Sequence, residues 1–278
     1  MSTQAVTKQV VLVTGASSGM GKAFANALLD EGLIVYAAAR RVEQMADLAA
    51  RGAITVKLDI SQHEQIEAAV RRIERDHGGV DVLINNAGFG LYGSMEETSI
   101  DDARYQFEVN LFGMARLTQL LLPTMRAKQR GRIINMSSMG GKIYTPMGSW
   151  YHATKHAVEG WSDCLRLELA PFNIDVVIIE PGAIATEFNG VVLAPMLERS
   201  GSGPYAKMTQ AAASATRAAE KRGGGSDPQV IVRLMLRAVR ARRPKTRYTG
   251  GQYARLLPFV RRWFGDRIYD RMVLATVR

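Results

Sequence analysis

Residues 8–21 read KQVVLVTGASSGMG, and this stretch decides the fold class. Lys8 to Thr14 is a short valine-rich run, the pattern of a buried strand. A glycine-rich turn, Gly15 to Gly21, follows at once. Lys22 to Glu31 then has helical character and stops at Gly32. The alternation continues outward. Leu33 to Ala39, residues 54–59 (ITVKLD), Val80 to Ile84, Arg132 to Met136 and Asp175 to Ile179 are further apolar runs. Between them, residues 62–77, 101–129 and Ala153 to Leu169 have helical spacing, with Pro123 near the end of the second. The runs are continuous rather than alternating, so both faces must be covered. The pattern predicts an α/β fold, a doubly wound parallel sheet wrapped by helices.

The rest of the chain bounds that picture. Its 278 residues are 47% hydrophobic and 22% charged, an ordinary globular balance. That length can bury a core without metals or staples. The lone Cys164 excludes an internal disulfide, and no Cys/His cluster has metal-ligand spacing, so no metal is expected. No run reaches the roughly 18 apolar residues of a spanning helix. Met1 to Lys8 is polar and has no signal-peptide character, so the expectation is a soluble, cytoplasmic protein. One domain over 1–278 is expected. Residues 185–228, rich in Ala, Gly and Ser around Pro195 and Pro204, form a mobile helical insertion in this reading. Residues 228–243 and 253–274 look helical, the latter with a break near Pro258 and Gly265.

The formal charge of +10 is unevenly placed. Residues 1–222 carry 23 Lys+Arg and 23 Asp+Glu, whereas 223–278 carry 13 and 3. A basic helical extension, 229–278, could meet anionic lipid, nucleic acid or an acidic partner. Solvated helix faces rank ahead, because Arg233, Arg237, Arg240 and Arg255 alternate with Leu, Val and Met. No nucleic-acid partner is expected, and membrane-surface contact ranks low. Even so, Arg255 to Phe264 (RLLPFVRRWF) mixes residues as an interfacial helix does.

The turn Gly15, Ser17, Ser18, Gly19, Met20, Gly21 is suited to phosphate. Glycines let the backbone approach a pyrophosphate, and a helix N-terminus supplies free N–H groups and positive dipole. The second apolar run ends Ala39-Arg40-Arg41. An NAD site usually has an acid there to hold the ribose 2′-hydroxyl. A guanidinium instead pairs with a 2′-phosphate, so Arg40 favours NADP(H) over NAD(H). Tyr151 and Lys155 are four apart and share a face if they lie on one helix. An ammonium beside a phenol lowers the phenol's pKa, and such a tyrosine can pass a proton to or from an alcohol oxygen. Ser138 follows a strand end, where open α/β sheets place ligands.

On these residues the chain resembles the short-chain dehydrogenase/reductase family in its single-domain form. Thr14-Gly15-xxx-Gly19-x-Gly21, Asn85-Asn86-Ala87-Gly88, Asn110, Ser138, Tyr151-xxx-Lys155 and Pro181-Gly182-xxx-Thr186 match its signatures in order and spacing over about residues 8–190. The resemblance implies a Rossmann-type domain that interconverts a ketone or aldehyde and an alcohol. Tyr151 would be the general acid/base. Lys155 would lower its pKa and bind the nicotinamide ribose, and Ser138 would orient the substrate oxygen. Asn110 would hold a relay water. Asp59 would meet the adenine, and Asn86, Ala87 and Gly88 would line the cofactor. Pro181, Gly182, Ile184 and Thr186 would lie on its nicotinamide side. Many NADP members carry a second basic residue where this chain has Ser18. The C-terminal part is most similar to the 17β-hydroxysteroid and retinol dehydrogenase-like branch. That implies a bulky apolar carbonyl or alcohol substrate, with 185–228 as its lid and Val191, Val192, Leu193, Met196, Leu197 and Met208 as pocket wall or plain helix packing. A homodimer or homotetramer through 101–129 and 151–169 is also implied. A regulatory NADP-binding protein is the alternative, but it predicts loss of Tyr151 or Lys155. Four further readings concern single residues: Cys164 is a small core residue, His152 and His156 are packing residues, and Tyr144 lies near the site.

Overall fold

The computed structural model describes residues 8–186 and 188–277. In chain order the regular elements are β1 (Val10–Thr14), α1 (Gly19–Asp30), β2 (Ile34–Ala39), α2 (Ala46–Ala50), β3 (Ile54–Lys57), α3 (His63–His77), β4 (Val82–Asn85), α4 (Ile100–Phe107), α5 (Gly113–Ala127), β5 (Gly131–Met136), α6 (Ser149–Leu169), β6 (Ile174–Pro181), α7 (Phe188–Ser200), α8 (Ala206–Lys221), α9 (Gln229–Arg240), β7 (Arg247–Gly250), α10 (Leu256–Phe264) and α11 (Asp266–Leu274). The strands form one parallel sheet in the order β3-β2-β1-β4-β5-β6-β7. The order reverses between β1 and β4, which opens a crevice at their C-terminal ends.

Strand periodicity explains the double winding. Val11 and Val13 of β1 face one layer, with Phe24 and Leu28 of α1 and Ile231 and Met235 of α9. Val10 and Leu12 face the other, with Ile66 and Ile73 of α3, Leu117 and Leu121 of α5, and Leu165 of α6. Successive side chains of a strand point to opposite faces, so covering both faces demands the unbroken apolar runs seen in the sequence. Each fully buried Phe or Leu here is worth roughly 1.5–3 kcal/mol. A polar chain ties the middle of the sheet to the helices. Asn85 Nδ2 donates to Asn135 Oδ1 at 2.9 Å and to Thr118 Oγ1 at 3.2 Å, and Asn135 Nδ2 donates to Ser162 Oγ at 2.9 Å.

Four features differ from the sequence reading. The seventh strand, β7, was not anticipated: it has four residues and only Tyr248 is buried. The helical pattern at 101–129 is two helices, α4 and α5, joined by a π turn at Glu108–Phe112. Pro258 does not break its helix, because it falls in the first turn of α10, where no intrahelical N–H is required. The break is at Gly265 alone, which has φ +76°. Cys164 is exposed rather than part of the core, since it lies on the outward side of α6.

Candidate active site

The turn after β1 is built for close approach. Gly15 has φ +68°, and a Cβ there would meet Ala87 Cα at 2.9 Å. A Cβ at Gly21 would lie 2.2 Å from the Gly15 carbonyl oxygen and 2.4 Å from Asn86 Nδ2. Only glycine therefore lets the turn fold back on itself. Thr14 and Asn86 lock it to β4: Thr14 Oγ1 accepts from the N–H groups of Asn86 and Ala87 at 3.0 Å, and Asn86 Nδ2 donates to Thr14 O at 2.9 Å. Ser18 caps α1 with extended backbone, and the first turn of that helix carries no acid. The positive end of the helix dipole is thus left for an anion.

A cleft of about 470 Å³ opens above this turn. The structure brings Gly15, Ser17, Ser18, Gly19, Met20, Gly21, Arg40, Asp59, Asn86, Ala87, Gly88 and Thr186 to its wall. At the end of β2, the exposed Arg40 donates to the Tyr105 hydroxyl at 3.2 Å, and Arg41 lines the same cleft. The Asp59 carboxylate accepts from the Ser61 N–H and hydroxyl at 3.0 and 2.8 Å, which fixes it at the cleft edge. Pro181, Gly182 and Ile184 lie outside this lining. Gly182 N–H donates to Gly250 O at 2.8 Å, and Ile184 is buried in the core beneath. Phe89, Tyr105, Val109 and Ile60 also line the cleft. No local motif marks these four, because the fold gathers them from separate segments.

Gly88 joins the cleft to a second group of residues. A Cβ there would lie 3.1 Å from Asn110 Oδ1 and 3.9 Å from Lys155 Nζ. Lys155 is buried and donates to Met136 O at 2.8 Å. Its ammonium stands 6.0 Å from the centre of the Tyr151 ring. Tyr151 is buried and hydrogen-bonded to Ser138. The Ser138 hydroxyl also accepts from Gly140 N–H at 3.0 Å. Asn110, in the π turn, accepts from Phe89 N–H at 3.0 Å and donates to Phe89 O at 2.9 Å and Thr154 Oγ1 at 3.1 Å. Its amide is therefore committed to bracing the 88–89 turn. A relay water at this residue would have to use its main chain.

The electrostatics differ from the sequence expectation. Burial pushes the Tyr151 phenol up, opposed by the Ser138 hydrogen bond. The Lys155 ammonium is turned to the Met136 carbonyl, and burial outweighs it at the phenol. Burial instead pulls Lys155 itself down to about 8, against the raising influence of Glu159. Behind Lys155 lies a cluster of buried acids. Glu159 pairs with Lys142 at 2.7 Å and Arg247 at 3.0 Å, and Glu180 pairs with Arg247 at 3.2 Å. Burial raises the Glu180 carboxyl, and Glu159 adds to this.

The surrounding loop is pinned from both sides. His152 is buried. Its Nε2 accepts from Thr145 N–H at 3.1 Å, so its Nδ1 donates to Gly140 O at 2.9 Å. Burial holds its pKa down, which suits this neutral form. Tyr144 turns to the C-terminal helices, where its hydroxyl donates to Asp270 at 2.8 Å. Tyr92, which the sequence reading missed, stacks on Tyr151 with ring centres 5.5 Å apart. It also packs with Met147, Leu193, Met196, Leu197 and Met208. These residues form a small core of their own, while the exposed Val191 reaches the cleft.

Residues 9–195 match the family model described as short chain dehydrogenase. The chain belongs to that family. It is similar to a 3-ketodihydrosphingosine reductase of Bacteroides thetaiotaomicron, 40% identical over 181 residues, with 65% of each chain covered, just short of two thirds of that relative's length. It is 37% identical over 203 residues to an NADPH-dependent 3-dehydrocapnine reductase of Ornithobacterium rhinotracheale, covering 70% of each. A solved short-chain dehydrogenase from Streptomyces avermitilis has 34% identity and a TM-score of 0.73 over 88% of both chains. The family model and these relatives are named for dehydrogenases and reductases.

Proposed function

We propose that this short-chain dehydrogenase reduces a bulky apolar ketone or aldehyde with NADPH. The observation that carries the reading is the pair Arg40 and Arg41 on the cleft wall at the end of β2, where an NAD site has an acid. The N–H groups of the Gly15–Gly21 turn and the N-terminus of α1 would hold the pyrophosphate. Arg40 would pair with the 2′-phosphate, already aimed by Tyr105. Asp59 would meet the adenine, and Thr186 would flank the nicotinamide end, with Pro181, Gly182 and Ile184 shaping the segment behind it. When bound, the nicotinamide supplies or accepts hydride.

The chain's own residues handle the proton. Ser138 and Tyr151 together present two hydroxyls to a carbonyl oxygen. Burial keeps the phenol protonated at neutral pH, the form a carbonyl reduction consumes. Lys155, with its pKa near 8, stays largely charged at pH 7 and favours the phenolate as it forms. Asn110 braces the turn that separates Lys155 from the cleft. NADP is kept reduced in cells, which favours the reductive direction. The relatives named for a 3-keto and a 3-dehydro compound support a ketone substrate, and a steroid or retinoid remains a special case of the apolar class. The helices α7 and α8 would cover it as a lid. Exposed Phe112 and Leu167 on the outer faces beside α5 and α6 suit a homodimer or homotetramer.

A panel of apolar ketones assayed with NADPH tests this. Tyr151→Phe is expected to lower kcat about 10²–10⁴-fold with NADPH binding unchanged. A Tyr151→Phe variant that keeps full turnover would remove the proton role assigned here.

A further inference from the structure

Helix α10 (LLPFVRRWF) is amphipathic, yet none of its residues is buried. Leu256, Phe259, Val260 and Trp263 recur at i, i+3, i+4 and i+7 and so share one face. That face points away from the protein: Leu256, Phe259 and Trp263 are 56%, 52% and 70% exposed. Phe264 and Ile268 extend the patch. The Phe259 ring lies 6.1 Å from Trp263 and 6.3 Å from Phe264. The helix is docked through its arginine side instead. Arg261 donates to Lys142 O at 2.7 Å, stacks over the Tyr144 ring at 4.5 Å and pairs with Asp266 at 3.3 Å. An ordinary surface helix buries its apolar face; this one turns that face to solvent beside the exposed Arg255 and Arg262.

The charges around the patch indicate what covers it. Arg255, Arg262, Arg267 and Arg271 are exposed, and no carboxylate among the described residues lies within ion-pair distance of them. We propose that α10 and α11 dock the protein on an anionic lipid bilayer. Aromatic and aliphatic side chains at the boundary of the acyl region, rimmed by guanidiniums at phosphate level, are how an interfacial helix binds. A second copy fits poorly. A two-fold contact through this face would bring two sets of four unpaired arginines together. Docking is peripheral, since no helix among the described residues is long and apolar enough to cross a membrane. It also has a direction. Lys142 and Tyr144, on which α10 and α11 sit, belong to the loop that starts at Ser138, so the bilayer would meet the protein beside its catalytic loop. The proposal stands whether or not the substrate is apolar.

Cosedimentation of the full chain with phosphatidylcholine vesicles, with and without phosphatidylglycerol, tests it. Binding is expected only with phosphatidylglycerol, weakening as salt rises, with a blue shift of Trp263 emission. Phe259→Ser combined with Trp263→Ser should abolish binding. Arg255→Gln and Arg262→Gln should each lower partitioning about five-fold. All four side chains are exposed, so melting temperature and NADPH binding should not change. No binding at low salt, or equal binding to neutral vesicles, would overturn the proposal. So would a parent protein that ignores vesicles but loses a subunit in the Phe259→Ser/Trp263→Ser variant, because the patch would then be a contact between copies.

Discussion

Lys155→Met isolates what the active site costs the fold. The lysine is buried, and its pKa is pulled from 10.5 to about 8, chiefly by desolvation. Folded protein therefore binds this proton less tightly than the unfolded chain does. Between about pH 8 and 10.5 the unfolded chain holds more protons, so wild-type stability from this group rises with pH. Below pH 8 both forms are protonated and the burden is constant, about 3 kcal/mol at pH 7. Methionine matches the stem without the charge. The acids nearby keep their partners, since Glu159 pairs with Lys142 and Arg247 rather than with Lys155. Urea melts of both proteins should show the variant more stable at pH 7, by up to about 3 kcal/mol, with the gap narrowing to about 1.4 kcal/mol near pH 9.5. Loss of the bond to Met136 O trims the gain by about 1 kcal/mol. Taking the difference cancels the buried tyrosines, whose raised pKa values affect both proteins alike. Turnover should fall although stability rises, a direct trade of stability for function. A variant less stable than wild type at pH 7, or a gap independent of pH, would show that the buried ammonium does not burden the fold.

Two further outcomes follow from the geometry. Gly21→Ala puts a methyl group 2.2 Å from the Gly15 carbonyl, so the turn must shift; calorimetry should show NADPH binding lost, with a stability cost of about 1–3 kcal/mol in denaturant melts. Arg247→Met removes a partner shared by Glu159, Glu180 and Asp163, which keep Lys142, Thr249 and Arg166 respectively, and should cost about 1–3 kcal/mol by the same melts, whereas Glu180→Gln, which keeps the Thr249 partner, should cost less.

Much of the fold and site was legible because one rule set both. A doubly covered strand must be apolar throughout, so β1, β2 and β4 to β6 could be read directly, and the shorter run at 54–59 gave β3. The glycine turn was legible because a close approach admits no Cβ. What escaped depends on tertiary neighbours. Strand β7 is a four-residue edge with one buried side chain, too short and too polar to stand out. The π turn at Glu108–Phe112 leaves the helical periodicity nearly intact. The Arg40–Tyr105 bond and the Tyr92–Tyr151 stack join segments 65 and 59 positions apart. The expected drop in the Tyr151 pKa failed for a similar reason. Spacing places Lys155 on the same helix face, but burial and the Met136 carbonyl decide where its charge acts.

The central claim is an NADP(H) site completed by Arg40. Titrating NADPH and NADH separately into wild type and Arg40→Ala tests it most directly. Wild type should bind NADPH more tightly than NADH. In the variant, NADPH affinity should fall about 10- to 100-fold, the worth of a charge-assisted phosphate contact, with NADH barely changed. Equal affinity of wild type for the two cofactors, or an unchanged preference in the variant, would contradict it.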